Sequence, residues 1–328
     1  MVCLFKGWNN IWPFLFANFV YTVWVPELPE VQTTVNILHK KVKGLRISNV
    51  WSDYNSLFNK GKENIKDPKY FSWFRKELVG KKVIRVRRRA KNVLIDVSDG
   101  KTILVHMKMT GHLMYGKYKF SKNKWTPTAE GPLSDPYNRF IHLVFTFSND
   151  KHLVLSDTRK FAKVIVFDTK EQNRNEMSLF GPEPLDKNFS YKVFIDSLYK
   201  RPTGRIKNVL MDQTVIAGIG NIYSDEVLWG SSVHPEERVE NIRNTNLKKI
   251  YNNIKLVLRK SLRLGGDSMS DYRNPNGEKG RFQDFHKVYR KKGEMCQLKG
   301  CGGIIERKVV GGRSAHFCNC HQRLLARK

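Results

Sequence analysis

Four of the five cysteines crowd into the last few dozen residues, and their spacing constrains the fold more than any other feature. Cys296 and Cys301 enclose four residues, and sixteen residues separate Cys301 from Cys318. The runs 304–310 and 314–317 predict two strands joined at a Gly-Gly turn. Such a hairpin brings two ligand pairs together, as tetrahedral zinc requires. Four protein ligands would make the ion structural rather than catalytic.

The fourth ligand has two candidates. Cys320 follows Cys318 by a single intervening residue, which is tight for two ligands, whereas His321 gives the usual two-residue gap and is favoured. Clustering at one end of the chain indicates metal binding in a reducing compartment rather than a disulfide framework. The alternative is a metal-free terminal hairpin with incidental thiols.

The charge of the chain indicates its partner. The 328 residues carry a formal net charge of +29, and the length suggests about two domains. A charge this large predicts a polyanionic partner, with nucleic acid favoured over an anionic membrane surface.

The pattern of apolar residues predicts an α+β fold, with a β-sandwich-like N-terminal domain that carries a long helix and a helical domain after it. Val31, Val35, Leu38 and Val42 follow helical spacing. Residues 116–139 are polar and contain proline, which predicts a loop, and residues from about 190 to 265 have a helical pattern. Short alternating or β-branched runs predict strands at 82–87, 93–97, 102–106, 140–147, 152–156 and 163–167.

Two further features favour contacts with phosphates. Gly218 and Gly220 would let backbone N–H groups approach a phosphate at the start of the following helix, and Asn221 adds a side-chain donor. Lys207 lies one helix earlier, and Arg313 lies at the hairpin tip, where it could hold a phosphate with two N–H groups. Glycines used only for packing and a solvated arginine are the alternatives.

Four motifs together resemble the formamidopyrimidine-DNA glycosylase family. Residues 26–31 (PELPEV) resemble its mature N-terminus, and 88–91 (RRAK) its catalytic-lysine hairpin. Residues 212–223 resemble its helix–two-turn–helix motif, and the tail resembles its zinc finger. The motifs stand in family order. Leu28 stands where the sister endonuclease VIII-like enzymes usually have glycine, which favours the purine-directed branch over a pyrimidine-directed relative.

The resemblance implies four catalytic residues. An N-terminal Pro26 would attack the sugar C1′ as a free secondary amine and form a Schiff base, and Glu27 would be the general acid toward the deoxyribose ring oxygen. Lys91 would contact phosphates and move protons during β,δ-elimination, and Arg313 would hold the phosphate beside the lesion. Helix capping by Glu27 and an ordinary basic-strand role for Lys91 are the alternatives.

The resemblance also implies three side chains that fill the gap left by a flipped base. Met109, Arg159 and Phe161 take this role, with Arg159 facing the orphaned base and Phe161 wedging the step. Residues 265–283, polar and with four glycines, would form a mobile loop over the flipped base. Without the resemblance, Met109 and Phe161 would be interpreted as core residues.

The chain departs from the family pattern in four places. Gln32 replaces a usual Glu, Ala162 replaces a common Gly, and the cysteine module has a wider first gap and the histidine. The fourth departure is that 25 residues precede Pro26, so its nitrogen is a tertiary amide without nucleophilicity. We hypothesise that translation starts at Val25 through a GTG codon and that removal of the initiator Met exposes Pro26. A cleaved leader and a full-length chain are the alternatives.

Five segments follow from these features: an apolar leader (1–25), a β-rich catalytic domain (26–170), a linker (171–190), a helical DNA-binding domain (191–292) and a zinc finger (293–328). The apolar run within the leader, Ile11 to Val25, is shorter than the ~20 residues that span a bilayer, and no small-residue cleavage site follows it.

The expected protein is a cytoplasmic, nucleoid-associated monomer that removes oxidised purines from double-stranded DNA and cleaves abasic sites. It would need one structural Zn²⁺, no small-molecule cofactor and, in its mature form, no membrane. The alternative is a catalytically silent zinc-containing DNA-binding protein.

Overall fold

A computed structural model describes residues 25–54, 56, 59–174 and 176–324, and residues 1–24 of the predicted leader lie outside this range. The first element is the predicted helix, α1 (Leu28–Val42), which follows the segment that contains Pro26. Its apolar stripe is buried, and Gly44 takes a φ of +87° just beyond its end. The predicted helix and its stop are therefore confirmed.

Ten strands lie among the described residues of the N-terminal half. They are β1 (Ile47–Ser52), β2 (Val83–Arg89), β3 (Asn92–Val97), β4 (Lys101–His106), β5 (His112–Gly116), β6 (Tyr118–Ser121), β7 (Lys124–Pro127), β8 (Ile141–Phe147), β9 (His152–Ser156) and β10 (Lys163–Asp168). Eight of them make two antiparallel four-stranded sheets, in the orders β1-β8-β9-β5 and β10-β4-β3-β2. All six predicted strands are present.

One apolar core joins the two sheets. Val93 and Val105 of one sheet and Leu143 and Leu155 of the other are fully buried in the same cluster. Helices α1 and α2 (Pro68–Leu78) pack into that cluster as well. Burial of inward-facing residues from two facing sheets is the pattern of a β-sandwich, so the predicted fold class is confirmed.

The prediction of a loop over residues 116–139 is wrong in its first half. Strands β6 and β7 pair there as a hairpin, and its turn residues Lys122 and Asn123 have φ values of 49° and 59°. Two positive φ values make a turn whose twist suits a two-residue hairpin. Phe120 and Trp125 face each other across the strands with ring centroids 5.3 Å apart, and both pack on Trp51 of β1.

The C-terminal half is helical, as predicted. It contains α3 (Tyr191–Leu198), α4 (Ile206–Met211), α5 (Asn221–Ser231) and α6 (Asn244–Arg263), which share a second apolar core. Strands β11 (Ile305–Val310) and β12 (Arg313–Cys318) then form the expected terminal hairpin. Among the residues within the described ranges, no helix is both long enough and apolar enough to cross a membrane.

Candidate active site

Two glutamates lie buried where α1 meets the helical half of the chain. Glu27 and Glu30 are 3% and 2% exposed. The Glu27 backbone N–H donates to Glu30 Oε2 at 2.8 Å, and Glu27 Oε1 accepts the Ile222 N–H at the start of α5 at 3.0 Å. Glu30 Oε1 accepts the Tyr223 hydroxyl and the Asp267 backbone N–H. Glu27 therefore does more than cap its own helix, because it joins the start of α1 to the start of α5.

The glycine turn before α5 makes room for this junction. A Cβ on Gly220 would lie 2.4 Å from Glu27 Cδ, and a Cβ on Gly218 would lie 2.7 Å from Leu28 Cβ. Gly218 also has a φ of +90°, and its carbonyl accepts the Leu28 N–H at 3.0 Å. Both glycines therefore serve close packing against residues 27–28, which was the alternative to phosphate binding in the sequence.

The environment of the two acids favours their protonated forms. Burial raises the pKa of Glu27 above its ordinary value, although the nearby Lys91 charge and the Ile222 N–H oppose the change. Burial likewise raises the pKa of Glu30 to about 8 against the hydrogen bond from Tyr223, and the Glu27 charge adds to the rise. Glu27 Oε2 is buried and has no hydrogen-bond partner among the residues that the structure describes. A carboxyl group of this kind can deliver a proton to a bound molecule.

Lys91 lies on the predicted hairpin, in the tight turn between β2 and β3. The preceding Ala90 has a φ of +51°, and Lys91 itself is half-buried. Burial lowers the pKa of Lys91, while the charges of Glu27 and Glu30 oppose that change and the charge of Arg313 adds to it. The lysine is thus close enough to Glu27 and Arg313 for their charges to interact.

Glu183 fixes this turn, a role that the sequence did not reveal. Its Oε1 accepts the Ala90 backbone N–H at 2.7 Å, and its carboxylate pairs with Arg88 at 2.6 Å and Arg89 at 3.1 Å. The only signal in the sequence is a Glu between two prolines in the connector. Gln32, where a Glu was expected, accepts a hydrogen bond from Arg88 at 2.8 Å, so an amide suffices there.

Arg313 is exposed at the tip of the β11–β12 hairpin, as predicted. The turn before it rests on α4, since a Cβ on Gly311 would lie 1.8 Å from Asn208 Nδ2. Gly311 and Gly312 both have positive φ values. The guanidinium is therefore presented by a turn that the helical half supports, on the side of Lys91.

The three predicted gap-filling residues lie on two loops that are pinned together. Met109 is half-buried in the turn after β4, and Arg159 and Phe161 are exposed in the loop after β9. Thr110 joins the loops, because its hydroxyl donates to the buried Asp157 and accepts the Arg159 N–H. The Arg159 guanidinium lies 4.6 Å from the Phe161 ring centroid. The interpretation of Phe161 as a core residue is excluded, since 47% of it is exposed.

Lys207 lies in the protein interior rather than on a surface that DNA could contact. It is fully buried, and its Nζ donates to Asp225 Oδ1 at 2.5 Å and to Ser224 Oγ at 3.2 Å. Asp225 Oδ2 accepts both the backbone N–H and the ring Nδ1 of His316 in β12, at 2.9 and 3.0 Å. The ammonium group thus ties α4, α5 and the hairpin together, and the arrangement does not support its predicted contact with phosphate.

Asn221 is the first residue of α5 and is half-buried. Its Nδ2 lies 3.4 Å from the Tyr289 hydroxyl, and its Oδ1 has no hydrogen-bond partner within the described part of the chain.

The predicted metal ligands come together at the base of the hairpin. The ligand atoms of Cys296, Cys301, Cys318 and His321 all lie within 4.8 Å of one another. Cys301 Sγ is 3.5 Å from Cys318 Sγ and 3.3 Å from His321 Nδ1, close to the roughly 3.3–3.9 Å between ligands of a tetrahedral zinc ion. Cys320 instead donates its thiol to the Cys301 carbonyl at 3.0 Å. The cluster could bind a metal, and it favours His321 over Cys320.

A hydrogen bond sets the orientation of His321. Its Nε2 lies 3.2 Å from the Trp229 carbonyl oxygen in α5. Donation of the Nε2 proton to that carbonyl leaves Nδ1 deprotonated and facing the thiols, which is the usual outer contact of a metal-bound histidine.

Comparisons with known proteins match nearly the whole chain from Val25 onward. The family model of the formamidopyrimidine-DNA glycosylase N-terminal domain matches residues 25–164, and that of the family's H2TH domain matches residues 180–273. The formamidopyrimidine-DNA glycosylase of Pelotomaculum thermopropionicum is 34% identical over 301 residues, covering 92% of this chain and 100% of that protein. The enzyme of the same name from Streptococcus pneumoniae is 34% identical and covers 91% and 100%.

Solved structures give the same match. The Lactococcus lactis Fpg in complex with DNA containing an abasic site superposes with a TM-score of 0.76, at 30% identity over 90% of this chain and 99% of that one. MutM in complex with DNA containing carbocyclic 8-oxo-G superposes with a TM-score of 0.75, at 31% identity over 91% and 100%.

Proposed function

The chain belongs to the formamidopyrimidine-DNA glycosylase family, and we propose that it is a base-excision repair enzyme that removes oxidised purines and then cleaves the abasic strand. The observation that carries the proposal is Glu27, a buried acid with a raised pKa and an unpartnered oxygen, directly after Pro26 and within range of the Lys91 charge. The relatives were solved with DNA that contains an abasic site or 8-oxo-G, which supports the same class of substrate.

The first step needs a free amine at Pro26. A secondary amine whose pKa is near 8 is partly unprotonated at neutral pH and can attack C1′ of the damaged nucleotide. The C1′–base bond breaks and the base leaves with the amine proton, Glu27 donates its proton to the deoxyribose ring oxygen as the C1′–O4′ bond breaks, and an iminium ion joins Pro26 to the opened sugar. A raised pKa keeps that proton on Glu27 until it is needed, in the manner of other general acids.

Elimination then cleaves the strand. Lys91 lies within range of the charges of Glu27 and Arg313, and the charges of Lys91 and Arg313 suit the phosphates that flank the lesion. Met109, Arg159 and Phe161 would occupy the space from which the base has turned out. Their two loops already share the Thr110 and Asp157 contacts.

One structural Zn²⁺ would be held by Cys296, Cys301, Cys318 and His321. Three thiolates and an imidazole suit zinc, and the ion would supply only rigidity to the hairpin that presents Arg313. We further infer a cytoplasmic enzyme that acts as a monomer on double-stranded DNA. The +29 charge supports strong and salt-dependent binding to that partner.

Borohydride trapping tests the mechanism. Two versions of the chain are compared on duplex DNA with 8-oxoguanine, one with residues 1–25 and one that starts at Pro26 after removal of the initiator Met. A covalent adduct with only the shorter version supports Pro26 as the nucleophile. If both versions fold and bind the DNA but neither gives an adduct, the silent DNA-binding protein is the correct interpretation.

A further inference from the structure

Arg273 is the largest fully buried side chain in the described part of the chain, although it lies in the irregular segment after α6. Its Nε and Nη2 donate to the two carboxylate oxygens of Asp135 at 3.1 and 3.2 Å. Its Nη1 donates to the carbonyls of Ser270 and Tyr272, and the guanidinium lies 4.8 Å from the Tyr137 ring centroid. Asp135 belongs to the β-rich half, so this ion pair joins the two halves of the molecule.

Two backbone contacts strengthen the same attachment. The Tyr115 N–H in β5 donates to the Pro275 carbonyl at 2.8 Å. Gly277 has a φ of +85°, and a Cβ at that position would lie 2.5 Å from the Pro132 carbonyl oxygen. The segment from Arg273 to Gly277 is thus held against the β-rich half at three points, so these residues do not fit the mobile loop expected over residues 265–283.

The residues that lead into this segment contact Glu30, one of the two buried glutamates. The Asp267 N–H donates to Glu30 Oε1 at 2.7 Å, and the Tyr272 hydroxyl donates to the Glu30 carbonyl at 2.9 Å. Five residues, 268–272, connect Asp267 to Arg273, so the two α-carbons are six steps and at most about 22 Å apart. They must therefore cross beside Glu30, and Met269 within them is 40% exposed.

We propose that Arg273 is a positioning residue for the selection of the damaged base. It fixes residues 268–272 beside Glu27 and Glu30 before DNA binds, so the tip that carries Met269 meets the base in one shape. Ordering residues 268–272 in advance removes the entropic cost of ordering them from the binding step. A shift of about 1 Å at a reacting centre can also lower the rate on the order of 100-fold. The inference rests on the proposed function, since it assigns a role within that site.

Loss of the Arg273–Asp135 ion pair should affect two substrates differently. A preformed abasic site has no base for the loop to meet, whereas 8-oxoguanine must be both held and removed. Arg273→Ala should slow single-turnover excision of 8-oxoguanine on the order of 10- to 100-fold. Cleavage of a preformed abasic site should change by less than about threefold, as expected for a contact that acts on one step only.

The experiment uses the chain that starts at Pro26 and both duplexes. Asp135→Asn is the milder variant, since it can keep the hydrogen bond to the Tyr137 N–H while it weakens the ion pair. The double variant Arg273→Asp/Asp135→Arg should recover part of the lost excision. Arg259→Ala, at an exposed cation of α6 outside residues 265–283, is the matched control and should leave the ratio of the two rates unchanged.

Hydrogen exchange separates this inference from the proposed function. Amides of residues 268–272 should exchange at least about tenfold faster in Arg273→Ala than in the unmodified chain, because one attachment is lost. If the unmodified chain is inactive on both duplexes, the proposed function fails and hydrogen exchange alone decides the inference. Unchanged exchange, or an equal loss of rate on both duplexes, overturns the role of Arg273.

Discussion

Helix α5 contacts two pairs of buried charged residues, and the pairs differ in how their charges are balanced. Asp225 accepts hydrogen bonds from Lys207 on one oxygen and from His316 on the other. Glu27 and Glu30 form no ion pair with a cation among the described residues, and one oxygen of Glu27 has no hydrogen-bond partner there. A buried charge can thus be neutralised by an ion pair or by a proton.

The two ways of neutralising a buried carboxylate serve different purposes, one structural and one chemical. Neutralisation by Lys207 fixes α4, α5 and the terminal hairpin in one arrangement, because breaking a buried pair leaves an unpaired charge. Burial raises the pKa of Glu27, which favours a proton on its carboxyl group that it can transfer. Burial therefore stabilises the fold at Asp225 and prepares a reactive group at Glu27.

The largest expected effect is the loss of metal binding at the terminal hairpin. His321→Ala removes one of four metal ligands, and structural zinc contributes roughly 10 kcal/mol or more to small zinc modules. We expect loss of the bound metal, measured by mass spectrometry under native conditions, and loss of hydrogen-exchange protection over residues 305–318.

Cys320→Ser is the matched control for the zinc site. Its thiol bonds to a carbonyl rather than to the cluster, so the metal should remain bound. A Cys320→Ser variant without metal, beside a His321→Ala variant that keeps it, would contradict the assignment of the fourth ligand.

The next effect is on the buried ion pair. Asp225→Asn leaves the Lys207 ammonium unpaired in the interior and should lower the free energy of unfolding by about 3–5 kcal/mol. Chemical denaturation measures the change. The double variant Lys207→Met/Asp225→Asn should recover part of the loss, because no buried charge is then left unpaired. Unfolding of Asp225→Asn at the same denaturant concentration as the unmodified chain would show that the pair is not structural.

The smallest effect is on the contribution of the buried Glu30 to stability, and it depends on pH. Glu30 has a folded-state pKa of about 8 against an ordinary 4.5, so the folded state holds one more proton between those values. Its contribution to stability is greatest below pH 4.5 and falls as the pH rises toward 8, by about 2–3 kcal/mol between pH 5 and pH 7. Glu30→Gln should remove this pH dependence of the free energy of unfolding, measured by chemical denaturation at several pH values. An unchanged pH dependence would show that Glu30 does not hold the extra proton.

The sequence predicted the elements whose signals are local. The helical spacing from Val31 to Val42 and the alternating runs of the sandwich were enough to locate α1 and six strands. The candidate metal ligands could be predicted from spacing, because a hairpin places residues that are near in sequence side by side.

The sequence did not predict the contacts that join distant residues. Glu183 accepts a hydrogen bond from Ala90, 93 residues away in the sequence, and no local pattern shows that a connector residue holds the turn that carries Lys91. Burial of Lys207 depends on Asp225 and on His316, which is supplied by the terminal hairpin. The β6–β7 hairpin was missed because Lys122 and Asn123, rather than glycine, make its turn.

Single-turnover excision of 8-oxoguanine by Glu27→Gln, with thermal unfolding of the same protein, tests the central claim most directly. The chain starts at Pro26, and Asp225→Asn is measured beside it. The account predicts that Glu27→Gln loses excision on the order of 100- to 10,000-fold without a fall in melting temperature, since an amide cannot donate the proton. Asp225→Asn should melt earlier and still excise. Excision by Glu27→Gln at the unmodified rate would contradict the assignment of Glu27 as the acid.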